Sequence, residues 1–190
     1  MTLNQTHQPS VKQMLDDAAY QRLVHLEAVN KLSGALRAAQ TLDEMLPILA
    51  KETFAMVDAA AVTIWLHDTA RNELCQVAAS GFPNLNLRLK PGDGIAGQVF
   101  LSGQSHISTE FKTDPRTHAS ARAQVPPNLA GAALPIRTTR ETVGVLFVSV
   151  LLPRTLSSEQ VQLLTTVAEI AGIAIHRMQL HELTERRLRR

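Results

Sequence analysis

The sequence predicts an α+β domain whose antiparallel sheet carries its helices to one side. Two observations lead there. The apolar period is near 3.5 across residues 11–40, falls to two from residue 61, and returns to three and four after residue 158. The strand-like segments also follow one another mostly through turns, which fits a sheet of neighbouring antiparallel strands better than βαβ alternation. With 45% of its 190 residues apolar, the chain has enough core for one domain with flanking segments.

Residues 1–10, "MTLNQTHQPS", form a polar tail expected to be disordered. In residues 11–40, Leu15, Ala19, Leu23, Leu26, Val29, Leu32 and Leu36 repeat at a mean of 3.5, the coiled-coil period, with Arg22 and His25 beside the seam. This segment is expected to be a signalling and dimerisation helix. A second helix starts at "TLDEMLPILAKETFAMV", where Thr41 and Glu44 make a capping box. Pro47 inside it implies a kink or a later start.

In "AAVTIWLHD" the alternation sets Val62, Ile64 and Leu66 on one face and Ala61, Thr63 and Trp65 on the other. "DTARN" is a turn, "ELCQVAAS" the returning strand, and "NLRL" a third. "SHIST" is short and strand-like. Residues 110–129 show no period and carry Pro115, Pro126 and Pro127. The strands "GAALPI" and "TVGVLFVSVLL" are joined by "RTTRE". A closing helix runs from about Ser158, capped by Ser157 with Gln160, and carries Leu164, Val167, Ala171, Ala174 and Met178 at helical spacing.

Residues 90–104, "KPGDGIAGQVFLSGQ", place Gly92, Gly94 and Gly97 in the spacing of a dinucleotide turn. Asp114 lies at about the distance of a ribose-binding acid. Arg88 and Lys90, however, stand where a buried parallel strand is apolar. Pro91–Gly92 suits a type II turn. Asp93 suits an N-cap, where its carboxylate would take the N–H groups a phosphate needs. The better reading is a turn leading into a short helix, "GIAGQVFLS", with Ile95, Val99 and Phe100 inward.

"LKPGDGIAGQVFLSGQ", then "NLAGAALPIRTTRETVGVLFVSV", then "LSSEQVQLLTTVAEIAGIAIHRMQL" resemble a GAF domain, from about Leu42 to Leu180. The resemblance implies a six-stranded antiparallel sheet with helices packed on one face and a loop-covered pocket on the other. It places the GAF domain at residues 41–180. It also implies a regulatory role, sensing a small ligand or dimerising, in a kinase, cyclase, phosphodiesterase, transcription activator or other two-component partner.

The chemically active branches of that family can be tested by residue. Bilin-binding members need a cysteine in the loop before "GAALPI", and "TDPRTHASARAQVPPNLA" has none. Free methionine sulfoxide reductases need a nucleophilic and a resolving cysteine, and Cys75 is alone and reads as a small buried hydrophobe. The cyclic-nucleotide signature is not matched, since Asn30–Lys31 falls in the leading helix. Haem-binding members resemble the chain at Pro126–Pro127, but Val125 stands where their histidine would be, leaving His118 as the alternative ligand. No histidine spacing resembles a metal site.

The candidate pocket residues are Trp65, Phe111, Asp114, Arg116, His118, Arg122 and Leu134. The charged ones either contact an anionic or polar ligand or form a solvated loop with local ion pairs. Trp65 either lines the pocket or packs under a helix. Leu23, Leu26, Leu164, Val167, Ala171, Ala174 and Met178 are the candidate dimer-helix residues, expected to meet in a parallel homodimer bundle. The pocket names no nucleophile–base pair, so an enzyme is not expected.

The net charge is +2 and the pI near 9.0. Five arginines between Arg177 and Arg190, against Glu182 and Glu185, account for that basicity. It belongs to the tail rather than to a face, so nucleic acid is not an expected partner. The absence of a signal-like start or an apolar span, together with a single cysteine, makes a cytoplasmic location and no membrane partner the expectation. Residues 181–190, "HELTERRLRR", resemble the start of a signalling coiled coil leading to an output domain.

Overall fold

The computed structural model describes residues 11–81 and 86–188, with side chains for 19–81 and 86–181. The sequence-predicted tail 1–10 lies outside the described residues, as does the side chain of Leu15.

Helix α1 spans Val11–Ala38 and α2 Leu42–Met56. Thr41 Oγ1 accepts the Glu44 N–H at 3.2 Å. The Glu44 carboxylate returns to the N–H of Gln40 at 3.0 Å rather than to Thr41, so the box is displaced by one residue. Pro47 sits inside α2 without ending it. Only the single bond its missing N–H would have made is lost.

Strands β1 (Ala61–Asp68) and β2 (Glu73–Ser80) form a hairpin. The carboxylate of Asp68 accepts the N–H groups of Ala70 and Arg71 and so shapes the turn. Then follow β3 (Arg88–Leu89), α3 (Gly94–Ser102), β4 (His106–Ser108), the single turn α4 (Ala119–Arg122), β5 (Leu129–Arg137), β6 (Thr142–Leu151) and α5 (Ser158–Leu188). At α5 the predicted capping box is complete: Ser157 Oγ accepts from Gln160 N–H, and Gln160 Oε1 from Ser157 N–H. The strands form one six-stranded sheet in the order β3-β2-β1-β6-β5-β4, antiparallel at every pairing.

Alternation along the strands gives the sheet two faces. Behind it, Val62, Ile64, Ala132, Leu134, Ile136, Leu146 and Val148 pack against α1, α2 and α5. In front, Trp65, Leu74, Leu89, Ala133 and Val145 pack with α3 and with Phe111 and Leu129. The rear contact is close enough that a Cβ on Gly172 of α5 would stand 1.7 Å from the Arg137 carbonyl oxygen of β5.

Two expectations are corrected here. Leu134 faces the rear core, fully buried, and not the front pocket, because it shares the face of Ala132 and Ile136. Leu164, Val167, Ala171, Ala174 and Met178 are likewise buried in the same rear core. Their stripe is consumed by the chain's own sheet and is not available as a seam to a second copy. Leu23 and Leu26, by contrast, are exposed on α1, and Ile173 and Leu180 on α5.

Ser33, Leu36 and Arg37 lie against residues 170–177 of α5, and Arg177 donates to the Leu36 carbonyl at 3.1 Å. At the other end His25 lies near Glu159. The carboxyl of Glu159 is held below its usual range by its own N–H and the Ser157 hydroxyl, with His25 adding to the effect. Helices α1 and α5 therefore run parallel, α1 entering at one end of the domain and α5 leaving at the other. No helix among the described residues is long and apolar enough to cross a membrane.

Candidate functional site

The front of the sheet holds a cavity of about 110 Å³. Its floor comes from β1 and β6, where cross-strand pairing sets Ala61 beside Ser149 and Thr63 beside Phe147. Trp65 continues the same face and is buried. Phe147 stands between Trp65 and Phe111, with ring centroids 6.4 and 5.7 Å apart, so three aromatic rings form one wall. Leu89, Ile95 and Ala96 close one side, and His118, Ala121, Val125 and Pro126 form the lid.

Gln76 reaches this cavity through an irregularity. The register of β1 and β2 shifts at Ile64/Trp65, so that Ile64 pairs with Ala78 but Trp65 with Gln76. Residues two apart on β2 thereby fall on opposite faces, Ala78 in the rear core and buried Gln76 in front.

The lid is held by its own polar groups. The Thr117 hydroxyl, buried, donates to the Phe111 carbonyl. Arg122 donates to the carbonyls of Asp114 and Thr117, both at 3.1 Å. Asp114 accepts from His106 Nε2 at 2.7 Å and from the Arg116 N–H at 2.9 Å, and Arg116 Nη1 meets His106 Nδ1 at 2.8 Å. Burial works against the ionised Asp114. The hydrogen bonds from His106 and the Arg116 N–H nevertheless hold its carboxyl below the usual range.

Trp65, Phe111 and His118 of the sequence-predicted set thus line the cavity, and Asp114, Arg116, Arg122 and Leu134 do not. The three charged residues share one feature: their groups are engaged in holding the lid in shape. Sequence reasoning missed Gln76, Ser149, Thr117 and Phe147. For Ser149 and Phe147 a signal exists, since both lie on β6 and alternate there with the rear-facing Leu146 and Val148.

The glycine-rich segment shapes the chain around this lid. The Asp93 N–H bonds the Lys90 carbonyl at 3.0 Å across the predicted turn. Asp93 occupies the N-cap, but its carboxylate makes no bond to the helix, against expectation. Gly94 has φ +62, and a Cβ there would stand 2.9 Å from His118 Cβ. The lid therefore rests directly on the start of α3, where a phosphate would have to sit. Cys75 is half-buried on β2 opposite Leu66 and lies outside the cavity lining.

His118 Nδ1 accepts the Ser120 N–H at 3.3 Å and lies 2.7 Å from Ser120 Oγ, which puts the hydrogen of the neutral ring on Nε2. A haem held by His118 would require the lid to open, since the cavity is well below the ~300–1,000 Å³ of pockets that enclose drug-sized ligands. Among the described residues no group of three or more histidine, cysteine, aspartate or glutamate side chains is placed to hold a metal.

A curled antiparallel sheet with long helices behind and a lidded cavity in front is the build of the regulatory α+β domains of signalling proteins. The sequence matches the GAF domain family over residues 39–176, and the chain belongs to that family. The GAF domain of a Coxiella burnetii phosphoenolpyruvate-protein phosphotransferase is similar, with a TM-score of 0.73 at 20% identity, over 83% of this chain and 96% of that one. Residues 122 to 287 of a methyl-accepting chemotaxis protein give 0.67 at 25% identity, over 78% and 97%. The free methionine-R-sulfoxide reductase of Neisseria meningitidis, in complex with its substrate, gives 0.70 at 17% identity, over 83% and 91%. No curated protein matches the sequence.

Proposed function

We propose that the chain is a sensor module of a signalling protein, in which a small molecule in the front cavity biases the terminal helices and two copies associate through the outward sides of α1 and α5. One observation carries this: the cavity and the helices share strands. On β6, Phe147 and Ser149 line the cavity while Leu146 and Val148 pack in the rear core with α5. A displacement of β6 toward or away from a ligand is felt by α5 without an intermediary, because packed interiors transmit strain.

The association surface is supported by what α1 and α5 leave uncovered. Tyr20, Leu23 and Leu26 are exposed on one, Leu26 by 62%, and Ile173 and Leu180, seven residues apart, on the other, Ile173 by 66%. A seven-residue apolar spacing on parallel helices fits self-association about a two-fold axis. The parallel course of α1 and α5 fits transmission from a preceding to a following segment of a longer protein.

A regulatory rather than catalytic role is supported by the chemistry of the site. The similar reductase acts on its substrate within this fold, but here the single cysteine stands away from the cavity. Sedimentation equilibrium is the test of association. The wild type is expected as a dimer at micromolar concentration, and Leu26→Glu with Ile173→Glu as a monomer with unchanged circular dichroism. A wild type that stays monomeric at high concentration removes the dimer from the proposal.

A further inference from the structure

The lining of the front cavity specifies more than that something small binds there. Among the described residues that form it, none carries a fixed charge. The polar groups are the Thr63, Thr117 and Ser149 hydroxyls, the Gln76 amide and the His118 ring. Four charged side chains of the lid segment are engaged elsewhere. Glu110 accepts from the Asn128 N–H and Thr113, Asp114 from His106, Arg116 meets His106, and Arg122 binds two carbonyls.

An ion entering this space would give up much of its hydration against a mostly apolar lining and meet no permanently charged partner, which makes the burial of charge unfavourable. The volume, about 110 Å³, is somewhat smaller than the ~150 Å³ apolar cavity known to admit benzene. His118 supplies a donor: Nδ1 is taken by Ser120, and Nε2–H has no hydrogen-bond partner among the described residues.

We infer that the cavity takes a small uncharged molecule, with an apolar body against Trp65, Phe111 and Phe147 and one hydrogen-bond acceptor that meets His118 Nε2–H. Carboxylates, ammonium compounds and nucleotides are excluded by the same chemistry. This inference rests on the reading of the cavity as a ligand site, and the experiment separates the two.

Trp65 is the only tryptophan, so its emission reports occupancy directly. The full chain is titrated with isobutyramide, with isobutyrate and isobutylammonium as charged counterparts of similar size, and with benzene as a purely apolar probe. Isobutyramide is expected to saturate with a Kd on the order of 1 mM. Both ions should bind at least about 100-fold more weakly. His118→Phe should weaken isobutyramide roughly 3- to 10-fold relative to benzene, which makes no hydrogen bond to the ring. Isobutyrate or isobutylammonium binding as tightly as the amide overturns the exclusion of charge while leaving the cavity a ligand site. Benzene binding without isobutyramide, or an amide affinity indifferent to His118→Phe, overturns the acceptor. Silence from all four probes overturns this inference and the ligand site together.

Discussion

Behind the sheet, Ile64, Leu134, Leu146 and Val148 meet Leu49, Leu164, Val167 and Ile175, and every one of these side chains is fully buried. One residue along the same strands, Thr63, Phe147 and Ser149 face a cavity closed by a lid. Strand sequence alone does not account for the contrast. The rear is covered by long helices that present continuous apolar stripes. The front is covered by one short helix and a proline-containing segment that spends its polar groups on itself. A two-faced sheet can therefore place its stability on one side and leave the other under-filled, which is where a binding site is least costly to build.

Substitutions on the two sides measure this difference. Leu164→Ala should cost about 3–5 kcal/mol, the lost transfer energy plus a rear cavity. Thr63→Val, its front counterpart, should stay within about 0.5 kcal/mol, because it leaves no partner stranded. Urea unfolding with an unchanged slope checks both. Equal losses would mean that the front is packed as tightly as the rear.

Gly94→Ala comes next. It forces a side chain into left-handed backbone and against His118, at about 1–3 kcal/mol. It should also lift the lid, so acrylamide quenching of Trp65 should rise. Quenching that stays at the wild-type level would show that the lid does not depend on this contact.

The smallest effect is at Asp114. Its carboxyl is more acidic folded than unfolded, so it contributes stability above the unfolded value near 3.8, and that contribution is lost as pH falls through the lower folded value. The Tm difference between wild type and Asp114→Asn should be constant near neutrality and shrink below about pH 4. A difference that does not change over this range would deny the carboxylate its part in holding the lid.

Much of the molecule is legible without coordinates. The change of period from 3.5 to two and back places the long helices and the strands of the two hairpins, β1 with β2 and β5 with β6. Thr41, Ser157 and Pro91–Gly92 mark starts and turns because their chemistry is local. The face of β1 that carries Thr63 and Trp65 follows from alternation, and His118 and Phe111 reach the cavity as their lid position implies.

Three things needed the tertiary structure. An apolar stripe of helical period states that Leu164, Val167, Ala171, Ala174 and Met178 are covered, but not by what, and here the covering is the chain's own sheet. Alternation assumes regular pairing, and the irregularity beside Ile64 moves Gln76 into the cavity against it. Charged residues in an aperiodic segment satisfy whichever partner lies nearest in space, which is how Asp114, Arg116 and Arg122 come to brace the lid instead of lining the cavity. Periodicity and capping act within a few residues of the chain and can be read from it. The choice of partner is made across the fold, where the nearest surface wins.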